Sequence, residues 1–196
     1  YPAGTTVIDI DHKWSTDESF DYLGETNGVL YVNGEIEGLR STSTGHKGKI
    51  TIASNYDITI SDDVLYKAKV DDPNCFDNPD SITDSIGLVS EGDIMIANNA
   101  PSNIEINAIL MALGDSFYYE GWKYNMQGTL TVHGSFIQSQ RGPVGTFDSW
   151  GKQSGYTKDY HFDTRMSSDN PNLGQVLPPY FPTTGRYIKL YWKELT

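Results

Sequence analysis

The stretch DDPNCFDNPD, residues 71–80, gathers Asp71, Asp72, Asp77 and Asp80 with Asn74 and Asn78. Calcium takes about six to eight oxygen ligands, and a loop of this composition could supply several. The spacing of a known calcium loop is missing, and Asp-Asp-Pro and Asp-Asn-Pro are ordinary turn chemistry. The expectation is a solvated loop without a cofactor, with Ca²⁺ the lesser alternative. Cys75 stands among acids, where a thiolate has no basic partner, so it reads as a small buried apolar residue. His12, His46, His133 and His161 form no HxxxH or HExxH pair, and His133 reads as facing solvent. Two facing carboxylates could hydrolyse a glycosidic bond. The nearest cluster, Asp84, Glu91 and Asp93, falls largely in SEGD, where Asp and Gly are expected for a turn. The chain is therefore read as not an enzyme.

The aromatic residues offer a different chemistry. FYYEGWKY, residues 117–124, sets Tyr118, Tyr119, Trp122 and Tyr124 close together, and Trp150 and Tyr156 follow. Such rings either anchor a loop onto a core or stand exposed, where their apolar faces stack on sugar rings. These six residues are the candidate ligand-binding set, with a neutral polysaccharide as the partner.

The elements that must position these residues follow from the period of the apolar side chains. Leu30/Val32, Ile50/Ile52, Ile58/Ile60, Ile94/Ile96, Ile104/Ile106 and Leu130/Val132 alternate with polar residues, the pattern of half-buried strands. Four segments share a strand–corner–strand order: GVLYVNGEIEG (28–38), GKITIASNYDITI (48–60), GLVSEGDIMI (87–96) and GTLTVHGSFI (128–137). Units this small bury their apolar faces only by stacking. The fold expected is all-β, a parallel β-solenoid. An antiparallel sandwich or jelly roll is the alternative.

The run INAILMALGDSF, 106–117, has an apolar density that suits a helix, but it continues a strand and is read as one. The whole of 1–196 is expected to form one domain, with rungs over about 28–138. Insertions are expected at 66–84, 114–127 and 139–185, the last within a loop-rich C-terminal region, 139–196. A final strand, RYIKLYW, is expected to dock on the solenoid or cap it, with Ile188, Leu190 and Trp192 inward. PPYFP, 178–182, should run extended along the surface before it.

Charge narrows the partners. Fourteen basic against 26 acidic residues give a net charge of −12, which disfavours nucleic acid, acidic polysaccharide and anionic membrane surfaces. One cysteine permits no intrachain disulfide. No run of 18 apolar residues is present to span a membrane. The start at Tyr1-Pro2 reads as that of a processed protein or an excised ectodomain.

LVSEGDIMIANNAPSNIEINAILMALGDSFYYEG, followed by GTLTVHGSFIQSQRGPVGTF, SGYTKDYHFDTRM and PPYFPTTGRY, resembles a bacterial surface-protein family. Its members are similar to the ectodomains of PilX-like minor pilins, which are associated with type IV pili. The resemblance covers about 86–192. It implies a solenoid ectodomain at the bacterial cell surface, no catalytic residues, and pilus or surface-anchoring partners in adhesion or surface presentation. A carbohydrate-binding adhesin module that uses the loop aromatics is the second reading. A polysaccharide-degrading solenoid enzyme is the third.

Overall fold

The structure, a computed structural model, describes residues 6–11 (backbone only), 28–167 and 170–181. It is a parallel β-solenoid of about five turns. Each turn places one strand in a long sheet and the next in a short one. The long sheet runs β1 (Thr6–Asp11), β2 (Gly28–Asn33), β4 (Lys49–Ser54), β6 (Ser85–Ser90), β8 (Ile104–Ala112), β10 (Met126–Gln138), β12 (Gly151–Phe162) and β11 (Gly145–Asp148). The short one runs β3 (Ile36–Leu39), β5 (Ile58–Ile60), β7 (Ile94–Ile96) and β9 (Phe117–Tyr119). Every pairing is parallel except β11 with β12.

In-register stacking turns the alternating residues into columns. Leu30, Ile52, Leu88, Leu110 and Phe136 succeed one another across the long sheet. Ile36, Ile58, Ile94 and Phe117 do so across the short one, beside Leu39, Ile60, Ile96 and Tyr119. With neighbouring strands about 4.8 Å apart, each aliphatic side chain lies against the one below it, and one core cluster runs from Ile50 to Tyr156. Ile50, Ile52, Ile94, Ile96, Leu130 and Val132 are buried in it, Leu30 packs at its margin, and Val32 is half-buried.

Two of the expected boundaries are corrected. GTLTVHGSFI is not a strand–corner–strand unit: it lies within the unbroken β10. The segment 114–127 is not an insertion. Residues 113–116 form a corner, and β9 completes a rung that begins with β8. The strand reading of 106–117 holds for β8. The fifth turn follows β10 with residues 139–144. Ser139 and Gln140 donate their N–H groups to Asp115 O, both at 3.0 Å, and Pro143 O accepts from Tyr119 N at 3.0 Å. The strand expected at RYIKLYW lies outside the described residues, as does His12.

Many corner acids have a structural task. Each accepts a backbone N–H from a neighbouring rung: Asp57 Oδ1 from Asp93 N (2.7 Å), Asp93 Oδ1 from Ser116 N (2.8 Å), Asp63 Oδ1 from Glu105 N (2.7 Å). An N–H at a corner has left the ladder, and a buried unpaired one costs about 1–3 kcal/mol. Burial is also the main cause that raises the Asp63 carboxyl above its ordinary range.

The outer face of the long sheet carries a second, smaller core. Val89, Ile109 and Met111 point outward and are covered by Phe181, with Ala53, Met166 and Leu177 around them. Gly87 makes room: a Cβ there would lie 2.4 Å from Phe181 Cδ2. The residues up to Phe181 thus form a strap, and 178–181 of PPYFP turn within it rather than run extended along the surface. Tyr180, at φ +53°, turns the chain just before Phe181. The strap is fastened by a buried ion pair. Arg165 meets Asp163 through Nη2 and Oδ2 at 2.6 Å and donates to Ile82 O (2.9 Å) and Asp84 O (3.0 Å), all buried. Its guanidinium lies 5.4 Å from the centre of the Tyr66 ring. Asp84 in turn accepts from Gly48 N and Ala68 N, both at 2.9 Å. The insertion 66–84 and the strap therefore lock each other to the rungs.

Candidate functional site

Two of the six predicted aromatics stand at the surface, on neighbouring segments of the chain's last turns. Tyr124 is 86% exposed and Trp150 is 91% exposed. Tyr124 belongs to the turn after β9, closed by Trp122 N to Tyr119 O (3.1 Å) and Asn125 N to Gly121 O (3.1 Å). Trp150 stands at the tip of the β11–β12 hairpin. Asp148 Oδ1 accepts from Trp150 N at 2.7 Å, and Gly151 takes φ +107°, a conformation that suits glycine. Residues next to the two tips are tied together by one backbone bond and several side-chain bonds. Gly155 N donates to Asn125 O at 2.6 Å, Ser154 Oγ donates to Trp122 O at 2.5 Å, and Lys152 Nζ donates to the carbonyls of Gln127 and Gly128. Met126 and Phe147 are also exposed. The sequence reading passed over both. For Phe147 the signal that could have found it is DSWG, a turn that closes a hairpin and turns its flanking residues outward.

The other four rings lie deeper. Tyr119 and Tyr156 are fully buried and pack edge to face, with centroids 4.8 Å apart. The Tyr119 hydroxyl accepts from Gln127 Nε2 (2.8 Å), and Tyr156 donates to Pro101 O (2.7 Å). Burial, with Tyr119 alongside, raises the Tyr156 phenol pKa. Neither ring has a face open to a ligand, so the structure corrects their place on a platform. They form the floor under the corner. Trp122 is half-buried against the core, and Lys123 Nζ lies 5.1 Å from its ring centre. Tyr118 is half-buried, its hydroxyl 3.6 Å from Met95 Sδ. Burial, aided by Asp93, Asp57 and Glu120, raises its pKa.

The aspartates of 71–80 do not converge. Asp71 pairs with Lys67 at 2.6 Å, and Asp72 caps Asn74 N at 2.9 Å. Asp77 and Asp80 lie exposed in separate short turns. Among the described residues no group of three or more His, Cys, Asp or Glu side chains is gathered as metal ligands would be. Cys75 is buried in the core, and burial, the leading cause, raises its thiol pKa. Of the carboxylate cluster, Asp84 is buried and bonded to backbone, Asp93 caps the next rung, and Glu91 is exposed.

His133 does not face solvent. It is stacked between Phe76 (centroids 4.0 Å) and His161 (4.6 Å) on the outer side of β10. Glu105 lies 3.9 Å from His133 Nε2, and Asp159 lies 2.9 Å from His161 Nε2. The register makes this ladder: Asn107, His133 and His161 are neighbours on three strands. His46 is buried beside a water-sized void lined by Leu39, Ser41, Ile50 and Val64, and neither ring nitrogen has a hydrogen-bond partner among the described residues. Burial lowers its pKa, opposed by Asp84.

Compared with protein-family models, with curated proteins and with solved structures, the chain matches none. No helix among the described residues is long and apolar enough to cross a membrane.

Proposed function

We propose that this chain is a non-catalytic β-solenoid domain of a bacterial surface protein, acting in adhesion through its exposed aromatic corner. The observation that carries the reading is that Tyr124 and Trp150 both stand almost wholly exposed, each on a turn whose flanking residues are hydrogen-bonded to the other segment, Gly155 N to Asn125 O and Ser154 Oγ to Trp122 O. An exposed Trp contributes little to folding and leaves a large ring face in water. Such faces suit the flat apolar side of a pyranose ring. The net charge of −12 favours a neutral polysaccharide of the cellulose type over an anionic polymer. Attachment through type IV pili rests on the sequence resemblance alone.

The test is a pull-down on insoluble cellulose and on an anionic control polymer, at low and high salt. Cellulose should retain the protein at both salt levels, because screening weakens charge contacts and leaves ring stacking in place. The pair Tyr124→Ala and Trp150→Ala should lose most of the binding while the melting temperature stays unchanged. Unchanged binding by the double variant, or retention on the anionic polymer that salt abolishes, would refute the aromatic corner.

A further inference from the structure

Glu105 holds an amine and an amide on one carboxylate oxygen. Its Oε1 lies 3.3 Å from Lys69 Nζ and accepts from Asn107 Nδ2 at 3.0 Å. Glu105 and Asn107 stand two apart on β8 and so share a face, opposite Ile104 and Ile106 in the core. Lys69 comes from the short helix Lys67–Asp71, at the start of the 66–84 insertion. Backbone pairing just before that helix sets the approach. Val64 N donates to Glu105 O at 3.0 Å, and Asn107 N donates to Val64 O at 2.7 Å.

Both ends of the Asn107 amide are fixed. The residue is fully buried, and its Oδ1 accepts from Tyr66 N at 3.1 Å while Nδ2 points at Glu105. A backbone N–H on Oδ1 draws charge from the carbonyl carbon and is placed to stabilise charge that develops on that oxygen. The amine is held as well. Lys69 is 18% exposed and Glu105 24%, and Lys69 Nζ donates to Pro73 O at 3.0 Å. Nζ also lies 5.5 Å from the centre of the Phe76 ring, which is stacked on His133. Rings in place of water favour the uncharged amine. The other titratable groups facing Glu105 are His133, with Nε2 at 3.9 Å, and Asp63, whose Oδ1 accepts from Glu105 N at 2.7 Å.

We propose that Lys69 and Asn107 join in an isopeptide bond, with Glu105 as the proton carrier. Glu105 takes a proton from the Lys69 ammonium. The freed amine attacks Asn107 Cγ, a C–N bond forms, and the carbonyl electron pair moves onto Oδ1, which faces Tyr66 N. Glu105 delivers its proton to Nδ2 and takes one from the attacking nitrogen. The bond from Cγ to Nδ2 breaks, the carbonyl is restored, and ammonia leaves with the last proton as ammonium. Nothing is oxidised or reduced. The carbonyl oxygen stays, so Tyr66 N keeps its acceptor. The step is a single self-modification without turnover. Its product ties the 66–84 insertion to β8 in a chain whose one cysteine allows no intrachain disulfide.

Intact-mass spectrometry on the full chain, denatured, tests this. The parent should be lighter than its sequence by one ammonia, about 17 Da. A protease digest should yield a branched peptide that joins Lys69 to Asn107. Glu105→Gln keeps the shape but carries no proton, and Lys69→Arg keeps the charge but supplies no free amine. Both should have the full sequence mass, with circular dichroism unchanged as the control for folding. The parent's own mass and digest decide the matter even where a variant fails to fold. A parent at its sequence mass, an ammonia loss without the branched peptide, or a loss that persists in either variant would each overturn the proposal.

Discussion

Residues 28–37 and 128–137 are written to one pattern, Gly-x-Leu-x-Val-x-Gly-x-apolar, and they fold differently. The first turns at Asn33–Gly34 and resumes as β3 in the other sheet. The second runs straight through Gly134 within β10. What differs is the neighbour in the stack. The corner at Gly34 lies beside the next corner: Ser54 Oγ donates to Gly34 O at 2.5 Å, and Asn55 Nδ2 to Asn33 Oδ1 at 2.8 Å. β10 instead lies against a straight β8, paired from Leu130 to Gln138, with β12 on its other side. Gly134 is needed there for closeness, since a Cβ would fall 1.8 Å from Ala108 O. A glycine between two valine-like strands marks either a bend or a tight approach, and the adjacent rung chooses between them.

Four substitutions sharpen that contrast. The largest effect should come from Leu130→Ala, since Leu130 is fully buried. Its loss should cost about 2–5 kcal/mol, and Leu30→Ala, at the half-buried margin, less than half of that by chemical denaturation. Equal costs would mean that the two segments hold equivalent places. Gly134→Ala should follow, at about 1–3 kcal/mol from overpacking. Gly174→Ala, where a Cβ meets nothing within 4 Å, should leave the melting temperature within error or raise it slightly.

His133→Asn comes third. It removes a ring stacked on both faces and should cost about 1 kcal/mol, most of it recovered by His133→Phe. The smallest effect is in the pH dependence. Burial, the main cause, lowers the His133 pKa, with His161 and Lys69 acting the same way and Glu105 opposing. The folded state therefore binds fewer protons than the unfolded chain. Stability from this group is present above pH ~6.5 and falls as pH drops below it toward the folded pKa. The parent should lose slightly more stability than His133→Asn between pH ~7 and ~5, measured as the difference in denaturant midpoints. The reverse sign would show that His133 is held charged.

The rungs whose strands alternate apolar with small or polar residues were legible in the sequence. Ile50/Ile52 with Ile58/Ile60, and Ile94/Ile96 behind the SEGD corner, declare both their period and their turns. The rung of β8 and β9 was not, because Ile109 and Met111 are buried on the outer face under Phe181 while Ala108, Leu110 and Ala112 fill the inner one. Burial on both faces erases the alternation that separates strand from helix. The strap has no period, and the Asp163–Arg165 pair that fastens it joins residues more than 80 positions from Ile82. Of the candidate site, the aromatic richness was readable and the exposure was not. Tyr119 and Tyr124 stand five residues apart in one motif, yet one fills the column above Ile96 and the other stands in water.

The most direct test of the stacked-rung account is a double-mutant cycle on Leu88 and Leu110, register partners on neighbouring rungs and both buried in the inner column. Leu88→Ala, Leu110→Ala and the double variant would be unfolded in denaturant under identical conditions. Side chains in contact share the cavity that each deletion leaves, so the two losses should depart from additivity by about 0.5–3 kcal/mol. Losses that add within about 0.3 kcal/mol would place the two leucines apart and contradict the stack.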